Sequence, residues 1–316
     1  MSALTAIRDQ GEQAAPPTSP RTADALHVQG LTKRYGAHPV LQGLNLSLPA
    51  GALGLFLGPN GAGKTTTLRL LAGLEAPDSG TFTLLGRAPH PALRREVAFT
   101  LEEPRFYPHL SLLDNLRVVA GYRGLRRAGV WAAGALERVG LRESAHRAFG
   151  RCSLGMRQRL YLASTLTPDL RLLLLDEPTN GLDVEGREAL WSVLTRLRDD
   201  GVSLLVSTHQ VLEAERSADH LSVLHGGRSV FDGPLSALQA QRRLVLQVPD
   251  PAQTALALQA HGHATQSGRG AGELVVQAAP AQAAQVLGLL STLNLPVYGS
   301  RPEDLEELYW RIKDAS

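Results

Sequence analysis

The stretch GPNGAGKTT, residues 58–66, decides the fold. It follows the apolar run LGLFL at 53–57 and leads into TTLRLLAG at 66–73, so a buried strand turns through glycines into a helix. Gly58, Gly63, Lys64 and Thr65 stand at G-x-x-x-x-G-K-T spacing, whose physical use is to hold phosphate. Glycines let the backbone wrap an anion, and the free N–H groups and helix dipole attract it. Lys64 adds a cation for the β and γ phosphates, and the Thr65 hydroxyl is placed to ligate Mg²⁺. Lys33, Lys64 and Lys313 are the only lysines among 32 basic residues, so a lysine inside this motif is not filler. The whole loop, Gly58, Pro59, Asn60, Gly61, Ala62, Gly63, Lys64, Thr65 and Thr66, is the candidate nucleotide-binding segment.

Further along, RLLLLDEPTNGLD at 171–183 runs four leucines into two acids. A buried strand that ends in Asp176 brings a hard oxygen ligand to the Mg²⁺ shell, and Glu177 can polarise water for attack on the γ-phosphate. Between and around these motifs, LRLLLLD at 170–176, VSLLVST at 202–208 and LSVLHG at 221–226 are continuous apolar strands separated by helical patterns. Such runs predict a parallel sheet covered on both faces. In GREALWSVLTRLRDDG, Leu190, Val193, Leu194 and Leu197 recur at helical spacing, and Gly201 stops the helix.

The strand signal vanishes between about 104 and 165, which predicts an inserted helical subdomain within a nucleotide-binding domain at 25–240. Residues 1–24, with PPTSP at 16–20, read as a disordered tail. After Arg243 the patterns LVLQV, PAQTALALQAHG, HATQS, ELVVQ, AQAAQVLGLLSTL and PVYGS give a βαββαβ order, closed by the helical DLEELYWRIKD. Residues 241–316 are therefore expected to form a small α+β, ferredoxin-like domain used for packing or dimerisation.

A formal net charge of +2 gives no argument for a nucleic-acid partner, although residues 105–160 hold eleven arginines against Asp114, Glu137 and Glu143. Cys152 is the only cysteine, so no intrachain disulfide and no cysteine-rich metal site can form, which fits a reducing, cytoplasmic compartment. No signal peptide is read at the N-terminus, and the longest uncharged run, 274–300, is broken by Pro280, Pro296 and several amides. A role at a membrane would need another chain to cross it.

Six ordered motifs over residues 35–209 resemble the ATP-binding subunit of an ABC transporter: Tyr35 in LTKRYG, the phosphate loop, CSLGMRQRL at 152–160, LLLLDEP, NGLD at 180–183 and STH at 207–209. The resemblance implies a P-loop NTPase (RecA-like) core with an antiparallel β subdomain and an inserted α-helical subdomain. It implies that Tyr35 stacks on adenine, that Glu177 and His209 are catalytic, and that ATP and Mg²⁺ are required. It further implies a head-to-tail dimer of two ATPase subunits, expected to be identical. Ser153, a natural N-cap, and Gly155 then meet the nucleotide held by the partner's phosphate loop, and Asp183 communicates between the sites. Two departures stand out: CSLGM replaces the commoner LSGGQ, and Leu154 occupies a position where glycine is typical.

With one cassette, no long heptad insertion and no spans, the chain is expected to dock on integral membrane permease subunits at the inner face of the cell membrane. S-L-G-M-R-Q-R-L and the small C-terminal domain resemble ABC-2 type exporters, including those for drugs and antibiotics. A nucleotide-dependent regulatory module is the alternative. In FTLEEPRFYP, Glu102 falls where the family carries a glutamine that reaches Mg²⁺ and the attacking water, while Glu103 reads as a turn residue. A carboxylate can ligate Mg²⁺ but cannot donate a hydrogen bond, and the same replacement resembles exporters of the lantibiotic and bacitracin self-resistance type. Phe106 and Tyr107 are expected to bear on the membrane partner.

Overall fold

In the computed structural model of the chain, residues 24–100, 106–209, 217–304, 307–309 and 311 are described, and the continuous apolar runs form the centre of a parallel sheet. Strands β1 (Leu26–Tyr35) and β2 (His38–Leu48) come first, and β3 (Leu53–Leu57) delivers the glycine loop to α1 (Lys64–Leu71). β4 (Ser79–Leu84) pairs back on β1, giving a three-stranded antiparallel sheet in the order β2-β1-β4. β5 (Val97–Thr100) begins a second sheet. Helices α2 (Leu112–Tyr122), α3 (Ala128–Arg138) and α4 (Leu154–Thr165) intervene before β6 (Leu172–Asp176), α5 (Val184–Asp199), β7 (Ser203–Thr208), β8 (His220–His225) and β9 (Arg228–Pro234). The second sheet has six strands in the order β5-β6-β7-β3-β8-β9, with β5, β6, β7, β3 and β8 parallel.

Every residue of β3 and β7 is buried, and so is β6 up to Asp176. A strand covered on both faces needs apolar side chains at successive positions, which is why these segments do not alternate. Because β6, β7 and β3 are parallel neighbours, their carboxyl ends align at one rim of the sheet. The segments leaving that rim are Gly58–Thr66, Asp176–Glu177 and Ser207–His209, the usual place for a ligand in an α/β sheet.

The helical segment is organised by caps and one buried amide. Ser111 caps α2 by accepting from the Asp114 N–H at 3.0 Å. Asn115, 1% exposed, accepts from the Tyr107 N–H at 2.8 Å and donates to the carbonyls of Tyr107 at 3.1 Å and Ser111 at 2.9 Å, fixing the turn that carries Phe106 and Tyr107. Leu112, Leu116, Ala132, Leu136 and Leu160 are buried in this helical segment.

The chain divides into two units between Gly233 and Pro234, earlier than the residue 240 expected, so that α6 (Leu235–Gln239) belongs to the second. There, β10 (Leu244–Gln247), α7 (Pro251–Ala260), β11 (Thr265–Ser267), β12 (Glu273–Val276), α8 (Ala283–Thr292) and β13 (Gly299–Pro302) succeed one another. The sheet order is β11-β12-β10-β13, with every neighbouring pair antiparallel. Leu244, Leu246, Leu258, Leu274, Val276, Val286 and Leu290 form its core. The expected tail at 1–24 lies outside the described residues apart from Asp24. Among the described residues no helix is long and apolar enough to cross a membrane.

Candidate active site

The glycines of the loop at 58–66 answer to close approach and to backbone angle. A Cβ on Gly58 would lie 2.7 Å from the Leu224 carbonyl oxygen, and Gly63 has φ +111, a region that side chains disfavour. Lys64 opens α1 directly after Gly63 and is only 5% exposed. Its ammonium donates to the Gly58 carbonyl at 2.7 Å and lies 3.2 Å from Glu177 Oε1. A buried ammonium needs such a counter-charge, because an unpaired one costs several kcal/mol, on the order of 3–5 when a partner is removed.

Two hydroxyls hold Asp176. Thr65 donates to Oδ2 at 2.7 Å and Ser207 donates to Oδ1 at 2.5 Å. Glu177 follows with φ 45, a left-handed conformation uncommon for a residue with a side chain. Its N–H donates to the Ser207 hydroxyl at 3.0 Å and to the Ser207 carbonyl at 3.1 Å, which braces that turn. His209 Nδ1 lies 2.8 Å from Glu177 Oε2, so the Glu177 carboxylate sits between the Lys64 ammonium and the His209 imidazole.

Thr65 and Asp176 offer hard oxygens beside one another, and among the described residues no group of three or more His, Cys, Asp or Glu is arranged to hold a metal alone. That donor set fits a cation that keeps most of its shell for water and phosphate, as Mg²⁺ does. Glu102, the third expected ligand, and Glu103 lie outside the described residues.

Tyr35 ends β1 and is 45% exposed, with its hydroxyl donating to Glu75 Oε2. The Glu75 carboxylate raises the phenol above the ordinary tyrosine value, and burial adds to the effect. Ser153 caps α4 by accepting from the Met156 N–H at 3.3 Å. Leu154 leans on the NGLD turn, where its Cδ2 would lie 3.2 Å from a Cβ on Gly181, and a Cβ on Gly155 would lie 3.6 Å from the Gly186 Cα. Asp183 is exposed and caps α5, accepting from the Gly186 N–H at 2.8 Å. The fold thus gathers Lys64, Thr65, Asp176, Glu177 and His209 at one rim. Among the described residues no hydrogen bond joins Ser153 or Gly155 to the loop at 58–66 of the same chain.

Two site residues escape sequence reading. Ser207 is a polar residue at the end of an apolar strand two positions before His209, which is a usable signal. Glu75 sits in an ordinary turn after α1 and gives none.

A parallel sheet with a glycine loop and an acidic strand end defines a P-loop nucleoside triphosphatase. The ABC transporter family model matches residues 41–180. The lantibiotic transport ATP-binding protein SrtF of Streptococcus pyogenes is 35% identical over 207 residues, covering 66% of this chain and 90% of that protein. The Nod factor export ATP-binding protein I of Ralstonia nicotianae is 40% identical over 214 residues, covering 66% of each. Among solved structures, cbiO1 of Clostridium perfringens, part of the ABC transporter complex cbiONQ, matches with a TM-score of 0.63 at 23% identity, over 69% of this chain and 92% of that one. The chain belongs to the ABC transporter family, as an ATP-binding protein that hydrolyses ATP.

Proposed function

We propose that this chain is the motor subunit of an exporter, binding and hydrolysing ATP while separate permease subunits carry the cargo. One observation carries the reading: Glu177 stands at the rim of the sheet within reach of Lys64 and His209, beside Asp176. In this reading the backbone of residues 58–66 and the Lys64 ammonium take the β and γ phosphates, and the Tyr35 ring stacks on the base. Thr65, Asp176 and Glu102 would hold Mg²⁺, which would supply charge neutralisation at the transferring phosphoryl group. Glu177 accepts a proton from water as the water oxygen attacks the γ-phosphorus, and ADP leaves with the electron pair of the broken P–O bond. His209 donates to a γ-phosphate oxygen.

A second copy completes each site. The N-terminus of α4, with Ser153 and Gly155, presents N–H groups that suit an anion, which is consistent with a head-to-tail homodimer in which it faces the partner's nucleotide. Asp183, at the start of α5, would then relay between the two sites. The motor works from the cytoplasmic face, with Phe106 and Tyr107 bearing on the permease. The βαββαβ order and its sheet arrangement support a ferredoxin-like C-terminal module, used for packing or dimerisation. The export assignment draws on the SrtF and Nod factor relatives, whose cargoes differ. SrtF and the glutamate at position 102 favour a peptide antibiotic as cargo, and thus a resistance role.

Glu177→Gln tests the reading. We expect turnover to be lost while ATP drives stable dimers, visible by size-exclusion chromatography with light scattering. A wild type that binds ATP without ever turning it over, even with its membrane partner, would leave a regulatory module instead.

A further inference from the structure

We propose that Glu75 is a positioning residue for the nucleotide base, acting through the hydrogen bond that it accepts from the Tyr35 hydroxyl. The inference rests on the reading of Tyr35 as the base platform.

Tyr35 is the last residue of β1 and nearly half exposed, so its ring could rotate freely at a strand end. It is held instead by a small charged cluster. Glu75 Oε2 accepts from the Tyr35 hydroxyl, and Arg69 Nε lies 3.1 Å from Glu75 Oε1. Lys33 stands 4.0 Å from Glu75 Oε2, donates to the Ala76 carbonyl at 2.7 Å and lies 5.4 Å from the centre of the Tyr35 ring. Lys33 is one of three lysines in the chain, and here it has a definite use.

The cluster answers two physical needs. An unrestrained tyrosine must be ordered when a base stacks on it, and ordering a side chain before the ligand arrives removes that cost from binding. A carboxylate near a polyphosphate site repels the ligand, and Arg69 and Lys33 offset the Glu75 charge. The Thr66 hydroxyl also acts on the phenol, lowering its affinity for protons where Glu75 raises it.

The test uses the full chain, with ATP affinity read by titration calorimetry and KM and kcat by steady-state hydrolysis. Glu75→Ala should weaken ATP binding about three- to tenfold and raise KM equally, at unchanged kcat, while Glu75→Gln, which keeps an acceptor oxygen, stays near wild type. Tyr35→Phe should match Glu75→Ala, and the double variant should lose no more than either alone. If Tyr35→Ala binds ATP as wild type does, the base platform itself is overturned. If Tyr35→Ala is weakened but Glu75→Ala is not, or if Glu75→Gln is as impaired as Glu75→Ala, the positioning role alone is overturned. A change in kcat without a change in affinity would also overturn it.

Discussion

Replacing Ser207 by alanine isolates the support beneath the acidic pair. The side chain is fully buried, and its hydroxyl joins two consecutive site residues, donating to Asp176 and accepting from the Glu177 N–H. That N–H retains the Ser207 carbonyl, and Asp176 retains Thr65, so the outright loss is one hydroxyl donor to a carboxylate. Hydrogen bonds to charged groups contribute about 1.5–3 kcal/mol. Asp176 is only partly buried and water can replace part of the contact, which brings the expected loss to roughly 1–2 kcal/mol in urea unfolding. With Asp176 free to swing on one hydroxyl, the proposed role of Asp176 as a Mg²⁺ ligand predicts that the Mg²⁺ concentration for half-maximal ATPase activity rises about tenfold, the effect usual for a partner behind a metal ligand. A variant with wild-type stability and an unchanged Mg²⁺ titration would refute the idea that this hydroxyl orients Asp176. Lowered stability without a Mg²⁺ effect would reduce it to a packing residue.

Two further outcomes test the energetics. Trp191 is 6% exposed, and its indole N–H has no hydrogen-bond partner among the described residues, so Trp191→Phe should leave thermal stability unchanged or slightly raised, where an ordinary large core change would lower it. Glu307 accepts from Arg301 at 2.8 Å, which holds its carboxyl below the ordinary value. A group with a depressed folded pKa contributes its stability above the unfolded value of about 4.3, and loses it as pH falls through the folded one. Glu307→Gln should therefore destabilise the C-terminal unit at neutral pH and flatten the acid limb of its unfolding curve, with wild type and variant converging at low pH.

The elements that sequence patterns revealed best are those buried on both faces. β3 and β6 appear as unbroken apolar runs and β7 and β8 as largely apolar ones, because both sides of the sheet are covered, and α5 appears because Leu190, Val193, Leu194 and Leu197 share one face. The β1–β2 hairpin was less legible for a local reason: the register shifts between Val28 and Leu31, where Gly30 adopts φ +60, and this breaks the alternation that marks a strand. β13 is exposed at every residue, so burial leaves no pattern in it, and it starts later than the PVYGS run suggested. At the site, the phosphate loop and the acidic pair are contiguous in sequence and could be read there. Ser207 could be singled out in the STH motif, but its partner Asp176 follows only from the parallel register that sets the two opposite each other, and Glu75 depends on the return of the chain from α1 past β1, neither of which a linear pattern contains.

Asp232 adds a mechanical consequence. One of its oxygens accepts from the Ser47 N–H at 3.0 Å and hydroxyl at 2.7 Å, while the other meets Ser222 and lies 3.2 Å from His220 Nε2. Near the middle of β2, Gln42 donates to the carbonyls of Gly227 at 2.8 Å and Gly226 at 3.1 Å. The antiparallel sheet is thus tied to the parallel one at two points, through β2 on one side and through β8, β9 and the turn between them on the other. In the proposed motor, movement driven by ATP is therefore expected in segments outside these cross-linked sheets rather than between them.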